Sequence, residues 1–312
     1  MSQLKILVIG ACGQIGTVLT QALYKRYGTN AVVASDIRTP TTPFDCIFES
    51  LNILDKFRLN QLIKNHQINC IYHLAAILSA KGEANPIATW EFNMSSLFNV
   101  LEAARKHQIS KVFFPSSIAV FGEGIDKQFT AQNAPLYPTT VYGMSKAAGE
   151  NWSQYYFQRY GLDIRSVRYP GIIGYQSLPG GGTTDYAVDI FHKAIANETF
   201  TCFLLENTTL PMMYMDDAIA ATIQIMEAPQ EQIAIRTSYN IAGMSFSPKE
   251  IAVAIQKHFP TFKVVYQPDF RQNIADSWPQ VIDDAAAKKD WGWQASYQLT
   301  NMVEDMLFHL KK

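Results

Sequence analysis

The sequence contains few cysteines and few charged residues for its length. Of its 312 residues, 4 are cysteine and 17% are charged, and the formal net charge is -1. The cysteines lack the CxxC or CxxH spacing of a zinc site, so we expect neither a metal nor a disulfide framework; they are Cys12, Cys46, Cys70 and Cys202. The near-neutral charge provides no basic field for nucleic acid and no polybasic membrane patch. These absences favour a small, soluble ligand.

Long apolar runs are also absent. The first apolar run, Leu4 to Ile9, is too short to cross a bilayer and follows no charged leader. Scattered cysteines without pairing motifs are typical of reduced thiols, so we expect a cytoplasmic protein with no membrane partner. The length permits one large domain, or one domain with a smaller lobe, around a sizeable core.

What the sequence does contain is a regular alternation of short β-branched runs and helical patterns. This alternation predicts βαβ units and therefore an α/β fold, with a doubly wound parallel sheet that has helices on both faces. The predicted elements are strand Ile6 to Ile9, helix Ile15 to Tyr27, strand Ala31 to Ser35, helix Lys56 to His66, strand Cys70 to Leu74, helix Pro86 to His107, strand Lys111 to Pro115, helix Pro138 to Tyr160 and strand Asp163 to Tyr169.

The pattern changes after Tyr169-Pro170-Gly171. A glycine loop at Pro179-Gly180-Gly181-Gly182 interrupts the alternation, and the later strands are short and unevenly spaced. We therefore predict a first domain over residues 1–170 and a smaller substrate-binding lobe over residues 171–312. Segments such as Tyr239 to Ala242 are expected to return to the main sheet, which would make the lobe discontinuous.

A glycine-rich turn directly follows the first predicted strand and begins a helix. In this turn, Gly10, Gly13 and Gly16 let the backbone approach a pyrophosphate, whose charge faces the helix start at Gln14 and Ile15. This is the context of a Rossmann dinucleotide site. The alternative is a plain tight turn between a strand and a helix.

An acidic residue closes the second predicted strand. Asp36 follows Gly16 by the spacing at which a carboxylate accepts hydrogen bonds from both ribose hydroxyls of adenosine. Asp36 would repel a 2′-phosphate, although Arg38, after Ile37, could attract one. We therefore predict NAD rather than NADP as the cofactor, with Asp36, Ile37 and Arg38 at its adenosine end.

A phenol and an ammonium lie one helical turn apart in Tyr142-Gly143-Met144-Ser145-Lys146. For Tyr142 to act as a base near neutrality its pKa must be lowered by roughly 3, which corresponds to about 4 kcal/mol. Lys146 and a positive nicotinamide ring can supply that energy. A hydroxyl is expected at the end of the fourth predicted strand, where Ser116 and Ser117 are both available.

Four motifs in order resemble the extended short-chain dehydrogenases over residues 4 to about 175. They are the Gly-x-x-Gly-x-x-Gly turn, Leu74-Ala75-Ala76, Tyr142-x-x-x-Lys146 and Tyr169-Pro170-Gly171-Ile172. The resemblance implies catalysis by Tyr142, Lys146 and Ser117, the last chosen by register with the pattern Ser-x-x-Val-[Tyr/Phe]-Gly.

The same resemblance implies further cofactor contacts. It places Leu74, Ala75 and Ala76 on the adenine side, Asn93 as an anchor of the backbone beside the site, and Tyr169 and Ile172 beside nicotinamide. Asn52, which precedes Ile53, departs from the family pattern, because an aspartate that meets adenine is more usual there. The departure puts this adenine contact in question.

The predicted lobe contains few cations for a diphosphate substrate. Between Gly171 and Ser247 the only Lys or Arg residues are Lys193 and Arg236, which favours a smaller substrate with one negative group. The segment Gly180 to Ala187 predicts a glycine loop leading into a helix that continues to Ile195, with Thr183 or Thr184 as its cap. Such a helix start can bind a carboxylate, or it can be an ordinary cap.

A closer resemblance extends nearly to the C-terminus. Gly180 to Ala187, Ser277-Trp278-Pro279 and Asp290-Trp291-Gly292-Trp293 are similar to segments of the epimerase-like L-threonine 3-dehydrogenases. This resemblance implies NAD-dependent oxidation of L-threonine at the β-hydroxyl to 2-amino-3-oxobutanoate, without metal. The hydroxyl would meet Ser117 and Tyr142 and the carboxylate would meet Thr183 and Thr184; weaker candidates for substrate contact are Ser79, Tyr214 and Trp278.

Two other functions remain open at this point. One is a nucleotide-sugar epimerase or dehydratase on the same scaffold, and the other is a non-catalytic NAD-binding sensor module. The two long helices carry apolar residues beyond those that the sheet needs, namely Leu97, Phe98, Trp152 and Tyr156. The resemblance implies a homodimer in which these helices form a four-helix bundle.

Overall fold

The computed structural model describes residues 3–180 and 182–311. In chain order its strands are β1 (Ile6–Ile9), β2 (Val32–Asp36), β3 (Ile47–Ser50), β4 (Cys70–His73), β5 (Lys111–Phe113), β6 (Ser116–Ser117), β7 (Ile164–Arg165), β8 (Val167–Tyr169), β9 (Gly171–Ile173), β10 (Phe200–Cys202), β11 (Leu210–Tyr214), β12 (Tyr239–Asn240), β13 (Met244–Phe246) and β14 (Val264–Tyr266). The helices are α1 (Gln14–Tyr27), α2 (Lys56–Asn65), α3 (Ser79–Gly82), α4 (Pro86–Lys106), α5 (Val141–Tyr160), α6 (Tyr186–Ile195), α7 (Met215–Glu227), α8 (Pro248–Gln256), α9 (Arg271–Asp276), α10 (Ala285–Trp291) and α11 (Leu299–Leu310).

The central sheet has six parallel strands in the order β3-β2-β1-β4-β5-β7. Strand β1 shows how both faces are covered, because its side chains alternate between two cores. Ile6 and Val8 join the core that includes α1 and α7, whereas Leu7 and Ile9 join the core under α2, α4 and α5. The predicted doubly wound, Rossmann-type sheet is therefore confirmed.

The ladder between β5 and β7 is interrupted and then resumes as the pair β6 and β8. Phe113 faces Arg165 before the interruption and Ser116 faces Arg168 after it, so the register is unchanged. The predicted single strand Asp163 to Tyr169 is thus divided into β7 and β8. Strand β12 pairs in parallel with β8, so the segment around Tyr239 lies beside the continuation of the interrupted ladder.

Several predicted boundaries were wrong. Strand β3 was not predicted, because only its first two residues, Ile47 and Phe48, are apolar and the strand lies partly exposed at the edge of the sheet. Helix α5 begins at Val141 rather than at Pro138, since Thr140 caps it by accepting a hydrogen bond from the Gly143 amide. Strand β5 ends at Phe113, before the proline at which the ladder is interrupted.

The C-terminal part builds its own core from β9, β10, β11, β13, α6, α8 and α11. Strands β9, β11 and β13 form one small sheet, and β10 pairs with β14. The segment Ile118–Phe121, which follows Ser117, is buried in the same core. The end of β6 therefore joins the catalytic helix to the lobe. Among the described residues, none of the helices combines the length and the apolar character that crossing a bilayer requires.

Candidate active site

The glycine turn after β1 is held tightly against the neighbouring strand ends. Gly10 has φ +88°, and a Cβ there would lie 2.8 Å from the Ala75 amide nitrogen. A Cβ on Gly16 would lie 2.1 Å from the Gly10 carbonyl oxygen. Only glycine fits at these two positions. The amides of Gln14 and Ile15 lie in the first turn of α1, where helical amides lack partners within the helix and can bind a phosphate.

Asp36 is buried at the end of β2 beside this turn. Its carboxylate accepts from the Cys12 amide at 2.9 Å and from the Arg38 amide at 2.9 Å, and a longer contact of 3.4 Å joins it to Arg38 Nε. The Arg38 side chain and Ile37 are exposed. The structure therefore fixes Asp36 next to the glycine turn, as ribose recognition requires.

The residues expected around adenine lie at neighbouring strand ends. Leu74, Ala75 and Ala76 are half-buried after β4, and Gly10 packs on the Ala75 backbone. Ile53 is buried, whereas Asn52 is exposed and its side chain accepts from the Leu54 amide at 3.0 Å. Asn52 thus stabilises its own turn.

Asn93 of α4 joins the loop after β4 to the catalytic helix. Its side-chain oxygen accepts from the Ile77 amide at 2.9 Å, and its nitrogen donates to the Ile77 carbonyl and to Ser145 Oγ, each at 3.1 Å. Every polar atom of the amide is used. The loop backbone is therefore anchored one residue away from Lys146.

Helix α5 approaches the segment after β6 at a glycine. A Cβ on Gly143 would lie 2.0 Å from the Ala119 carbonyl oxygen. This contact brings Tyr142 to Ser117, whose hydroxyl hydrogen-bonds the phenol. Gly143 was not among the predicted site residues, although a glycine inside a predicted helix indicates that another part of the backbone packs closely against it.

Burial acts on the phenol and on the ammonium in opposite senses. It raises the pKa of Tyr142 to about 12, while the hydrogen bond with Ser117 partly lowers it. Burial lowers the pKa of Lys146 to about 7, and the negative charge of Glu150 opposes that change. Lys146 Nζ donates to the Pro115 carbonyl at 2.7 Å and lies 5.6 Å from the centre of the Tyr142 ring. The structure thus brings Ser117, Tyr142 and Lys146 together.

His73, at the end of β4, is a neutral neighbour of this group. Burial, and secondarily the charge of Lys146, lower its pKa to about 3. Its ring stacks on Phe114 at 6.3 Å, and its Nε2 lies 3.4 Å from Ser96 Oγ. His73 therefore contributes shape rather than charge.

The two residues expected beside nicotinamide differ in how they are used. The Tyr169 hydroxyl is buried and hydrogen-bonds Thr222 of α7, so its polar end is directed into the core. Ile172 is half-buried in β9. It is the Ile172 side chain, rather than the Tyr169 hydroxyl, that remains for contact with a ligand.

The loop before α6 differs from the prediction in its cap. Asp185, not Thr183 or Thr184, stands at the N-cap position, but its carboxylate turns back from the helix and accepts from the amides of Gly180 and Gly182 at 2.7 and 2.8 Å. Gly181, in the predicted glycine loop, lies outside the described residues. The predicted threonine cap is therefore wrong, and the Asp185 side chain stabilises the loop before the helix rather than the amides of its first turn.

Thr183 has a buried hydroxyl. The residue is 1% exposed, and its Oγ1 has no hydrogen-bond partner in the described part of the chain. Thr184 lies against β9, since a Cβ on Gly171 would meet its Cγ2 at 2.6 Å. Gln176 Oε1 and the Tyr186 hydroxyl, which were not predicted as site groups, are among the other buried polar atoms without such a partner. Orphaned buried polar atoms are characteristic of a ligand-binding segment.

The weaker candidates for substrate contact differ in whether their polar groups are already hydrogen-bonded. Ser79 is buried in α3, a turn that contacts the start of α5 through the hydrogen bond from the Val141 amide to Glu83. Tyr214 directs its hydroxyl to Asp305 of α11, so its polar group is already occupied.

Trp278 is buried, with its Nε1 lacking a partner among the described residues. It lines a cavity of about 520 Å³. The preceding Ser277 meets Thr139, which precedes the cap of α5, at 2.9 Å. The segment that carries Trp278 is therefore attached to the start of the catalytic helix.

The sequence of the chain matches a known protein family. Residues 6–242 match the model of the NAD dependent epimerase/dehydratase family. The chain belongs to this family. An uncharacterized epimerase/dehydratase of Staphylococcus aureus is 45% identical over 307 residues, which cover 97% of this chain and 95% of the relative.

Solved structures of L-threonine dehydrogenases are similar to this epimerase/dehydratase. A GalE-like L-threonine dehydrogenase from Cupriavidus necator, in its holo form, is 52% identical with a TM-score of 0.96, covering 98% of this chain and 99% of that one. A monomeric L-threonine 3-dehydrogenase from a metagenome database is 45% identical with a TM-score of 0.95, covering 98% of each chain. The protein is thus an NAD-dependent enzyme with NAD as its cofactor.

The residues present fit that cofactor. The cradle at Gly10 and Gly16 has no room for a Cβ, and the start of α1 offers amides to a pyrophosphate. Asp36 would hold the adenosine ribose, and Lys146 the nicotinamide ribose. Bound there, NAD would supply the hydride acceptor beside Tyr142.

Proposed function

We propose that the enzyme oxidises L-threonine at its β-hydroxyl to 2-amino-3-oxobutanoate, with Tyr142 as the general base. The observation that carries the proposal is the group formed by Ser117, Tyr142 and Lys146 together with the buried, unpartnered hydroxyl of Thr183. The names of the structural relatives from Cupriavidus necator and the metagenome support the same substrate.

The proton step follows from the environment of Tyr142. With a pKa of about 12, the buried phenol is neutral near pH 7 until positive charge approaches it. Lys146, when protonated, provides part of that charge, and the nicotinamide ring of bound NAD provides the rest. Once its own proton has passed to solvent, Tyr142 as phenolate would remove the proton from the β-hydroxyl while the hydride left the same carbon for the acceptor that NAD supplies, and Ser117 would hold the oxygen that becomes the carbonyl.

The substrate carboxylate is assigned to the loop before α6. Thr183 can donate its free hydroxyl, and Thr184 lies beside it against β9. We propose Trp278 as a wall of the same pocket, since its segment is attached to the start of α5. The lobe offers few cations for a second anionic group, which supports one carboxylate rather than a diphosphate.

The deciding experiment is an assay of NADH formation with L-threonine, related β-hydroxy acids and UDP-sugars. We expect NADH with L-threonine. The variant Tyr142→Phe should keep its affinity for NAD and lose about two to four decades of turnover, because a general base is removed without a change of shape.

Other outcomes would separate the alternatives. Conversion of a UDP-sugar without net NADH would indicate the epimerase that the name of the staphylococcal relative suggests. NAD binding with no turnover on any substrate would indicate a sensor module. A Tyr142→Phe variant that retained most of its activity would remove Tyr142 from the role of base.

We also propose a homodimer in the cytoplasm. The exposed face of α4 and α5 carries an aromatic cluster in which Trp152 packs edge-on against Phe98 at 4.9 Å while remaining 38% exposed. Such a face is typical of an interface with a second copy. The four cysteines are free thiols, which supports a reducing compartment.

A further inference from the structure

A buried ion pair lies directly behind the catalytic group. Glu150 follows Lys146 by one turn of α5, and its side chain is fully buried. Both of its oxygens are bound in a fork by Arg168, at 2.9 Å from Nε and 2.7 Å from the second terminal nitrogen. Ser116 Oγ donates to the same carboxylate at 2.6 Å. Arg168 is also buried, so neither charge is satisfied by water.

The partners of Glu150 stand next to residues of the active site. Ser116 precedes Ser117, and Arg168 precedes Tyr169 at the end of β8. One carboxylate therefore connects the strand end that carries the hydroxyl donor, the strand that leads to the nicotinamide side, and the helix that carries the base. The two strand ends are already paired with each other, since Ser116 faces Arg168 and Ser117 faces Tyr169 between β6 and β8, and Glu150 joins the helix to that pair.

The remaining donors of Arg168 extend the connection. Its other terminal nitrogen donates to the Gln132 carbonyl at 2.9 Å and to Asn240 Oδ1 at 3.1 Å. Asn240 belongs to β12, the strand that returns from the C-terminal part. A guanidinium whose three nitrogens all donate hydrogen bonds holds its partner more rigidly than an ammonium could.

Glu150 also affects the charge of Lys146. The groups that face Lys146 are Tyr142 and Glu150 on its own helix, neutral His73 on β4, and the ring of Phe114 and the carbonyl of Pro115 at the end of β5. Of these, Glu150 is the anion, and it opposes the effect of burial on the pKa of Lys146.

We propose that Glu150, paired with Arg168, is a positioning residue of the active site: it fixes Ser117, Tyr142 and Lys146 relative to one another and places a negative charge one helical turn from Lys146. The inference rests on the proposed roles of these three residues but not on the identity of the substrate. It also gives Arg168 a function in the site that its burial alone would not require.

The first test uses the cofactor-free protein and needs no substrate. Lysines are labelled with ¹³C, the Lys146 signal is assigned by its loss in Lys146→Met, and its titration midpoint is measured by NMR. In Glu150→Gln we expect the midpoint to be lower by about one pH unit, because a nearby negative charge is removed. An unchanged midpoint would refute the electrostatic part of the proposal.

Asp163→Asn is the matched control. Asp163 is likewise a buried carboxylate, bound by Arg165 and by Arg236, whose guanidinium lies over Phe157 at the far end of α5, about three helical turns from Lys146. This variant also breaks a buried ion pair, so it should lose stability while leaving the Lys146 midpoint unchanged. If both variants moved the midpoint alike, a general loss of packing would explain the effect and the proposal would fail.

The second test is the pH profile of NADH formation on the best substrate found in the panel. Without the charge of Glu150, proton loss from the Tyr142–Lys146 pair becomes easier, but a larger share of the remaining proton stays on the phenol. In Glu150→Gln we expect the rising limb of the profile at lower pH and a plateau about tenfold lower. A profile identical to that of the wild type would overturn the proposal.

Arg168→Lys covers the case in which Glu150→Gln does not fold. It keeps both charges but loses the fork, so the Lys146 midpoint should stay while the plateau falls by about tenfold. A wild-type plateau in this variant would refute the positioning role. Absence of NADH from wild-type enzyme with L-threonine would instead refute the proposed substrate, which leaves the NMR result to decide the role of Glu150.

Discussion

At the scale of single residues, burial favours the neutral forms of two side chains in the active site, Tyr142 and Lys146. Burial raises the pKa of Tyr142 to about 12 and lowers that of Lys146 to about 7, so neither gains from ionising alone. The charged pair is favoured only when each side chain faces the other and positive charge lies nearby. With the proposed role of Tyr142, the base would stay neutral and inactive until the cofactor is present.

His73 makes the stability of the protein depend on acid pH. Its folded pKa of about 3 lies below its ordinary value of 6.5. Between these values the unfolded chain binds a proton that the folded chain does not, so the free energy of unfolding decreases as pH falls. The slope from this residue is at most about 1.4 kcal/mol per pH unit.

We therefore expect His73→Leu to be less sensitive to acid than the wild type, whatever its stability at pH 7. Urea unfolding at about pH 7 and pH 5 measures the difference. Exposed His258→Gln is the control and should retain the slope of the wild type. An unchanged slope in His73→Leu would assign the acid sensitivity to other groups.

At the scale of elements, the glycine turn separates a packing role from a ligand-binding role. A Cβ on Gly16 would collide with the Gly10 carbonyl at 2.1 Å, whereas one on Gly13 would lie 3.2 Å from the same oxygen. Gly16→Ala should lower both the melting temperature without NAD and the affinity for NAD, because overpacking costs about 1–3 kcal/mol.

Gly13→Ala is the matched variant in the same turn. It should melt near the wild-type temperature and yet bind NAD more weakly, since the added methyl group reaches toward the space that a pyrophosphate needs. Calorimetric melting and NADH fluorescence titration measure the two properties. Equal losses of stability in both variants would contradict this separation.

Elements with local signals could be predicted from the sequence. Patterns of only a few residues identify the apolar run of β1, the glycine turn and the pair Tyr142 and Lys146. Strand β1 has the bounds that were predicted. Strand β3 carries no such signal, because an edge strand can be half-exposed and polar. The division between β7 and β8 depends on distant neighbours, so no local pattern could reveal it.

Side-chain partners across long sequence separations were equally hidden. Asp185, rather than a threonine, stands at the N-cap position of α6, and its carboxylate binds the glycine amides of the preceding loop. Tyr214 meets Asp305 of α11, and Glu150 meets Arg168. Residue types and spacing give candidates for a site, but the hydrogen bonds that consume or release them are set by the tertiary fold.

At the scale of the whole molecule, the aromatic cluster on α4 and α5 predicts the oligomeric state. Trp152 contacts Phe98 and Tyr155 while remaining partly exposed. We expect a dimer by light scattering, and Trp152→Glu should dissociate it, because a charge cannot be desolvated at such an interface without a partner.

Exposed Val253→Glu, on α8 in the C-terminal part, is a control on another face of the molecule and should remain dimeric. A wild-type monomer at every concentration would contradict the proposal and would match the state that the name of the metagenomic relative gives for that protein. The helices that would form the interface also carry Asn93 and Tyr142, so assembly and catalysis would share the same scaffold.

The gap in the β-ladder has a consequence for chemistry. Pro115 has no N–H to donate to a neighbouring strand. Its carbonyl oxygen accepts a hydrogen bond from Lys146 of α5. The sheet lacks one hydrogen bond at this point, and a main-chain carbonyl there becomes the hydrogen-bond acceptor of the Lys146 side chain. An otherwise ordinary break in secondary structure thus sets the direction in which the ammonium points, and with it the side from which the phenol can be stabilised.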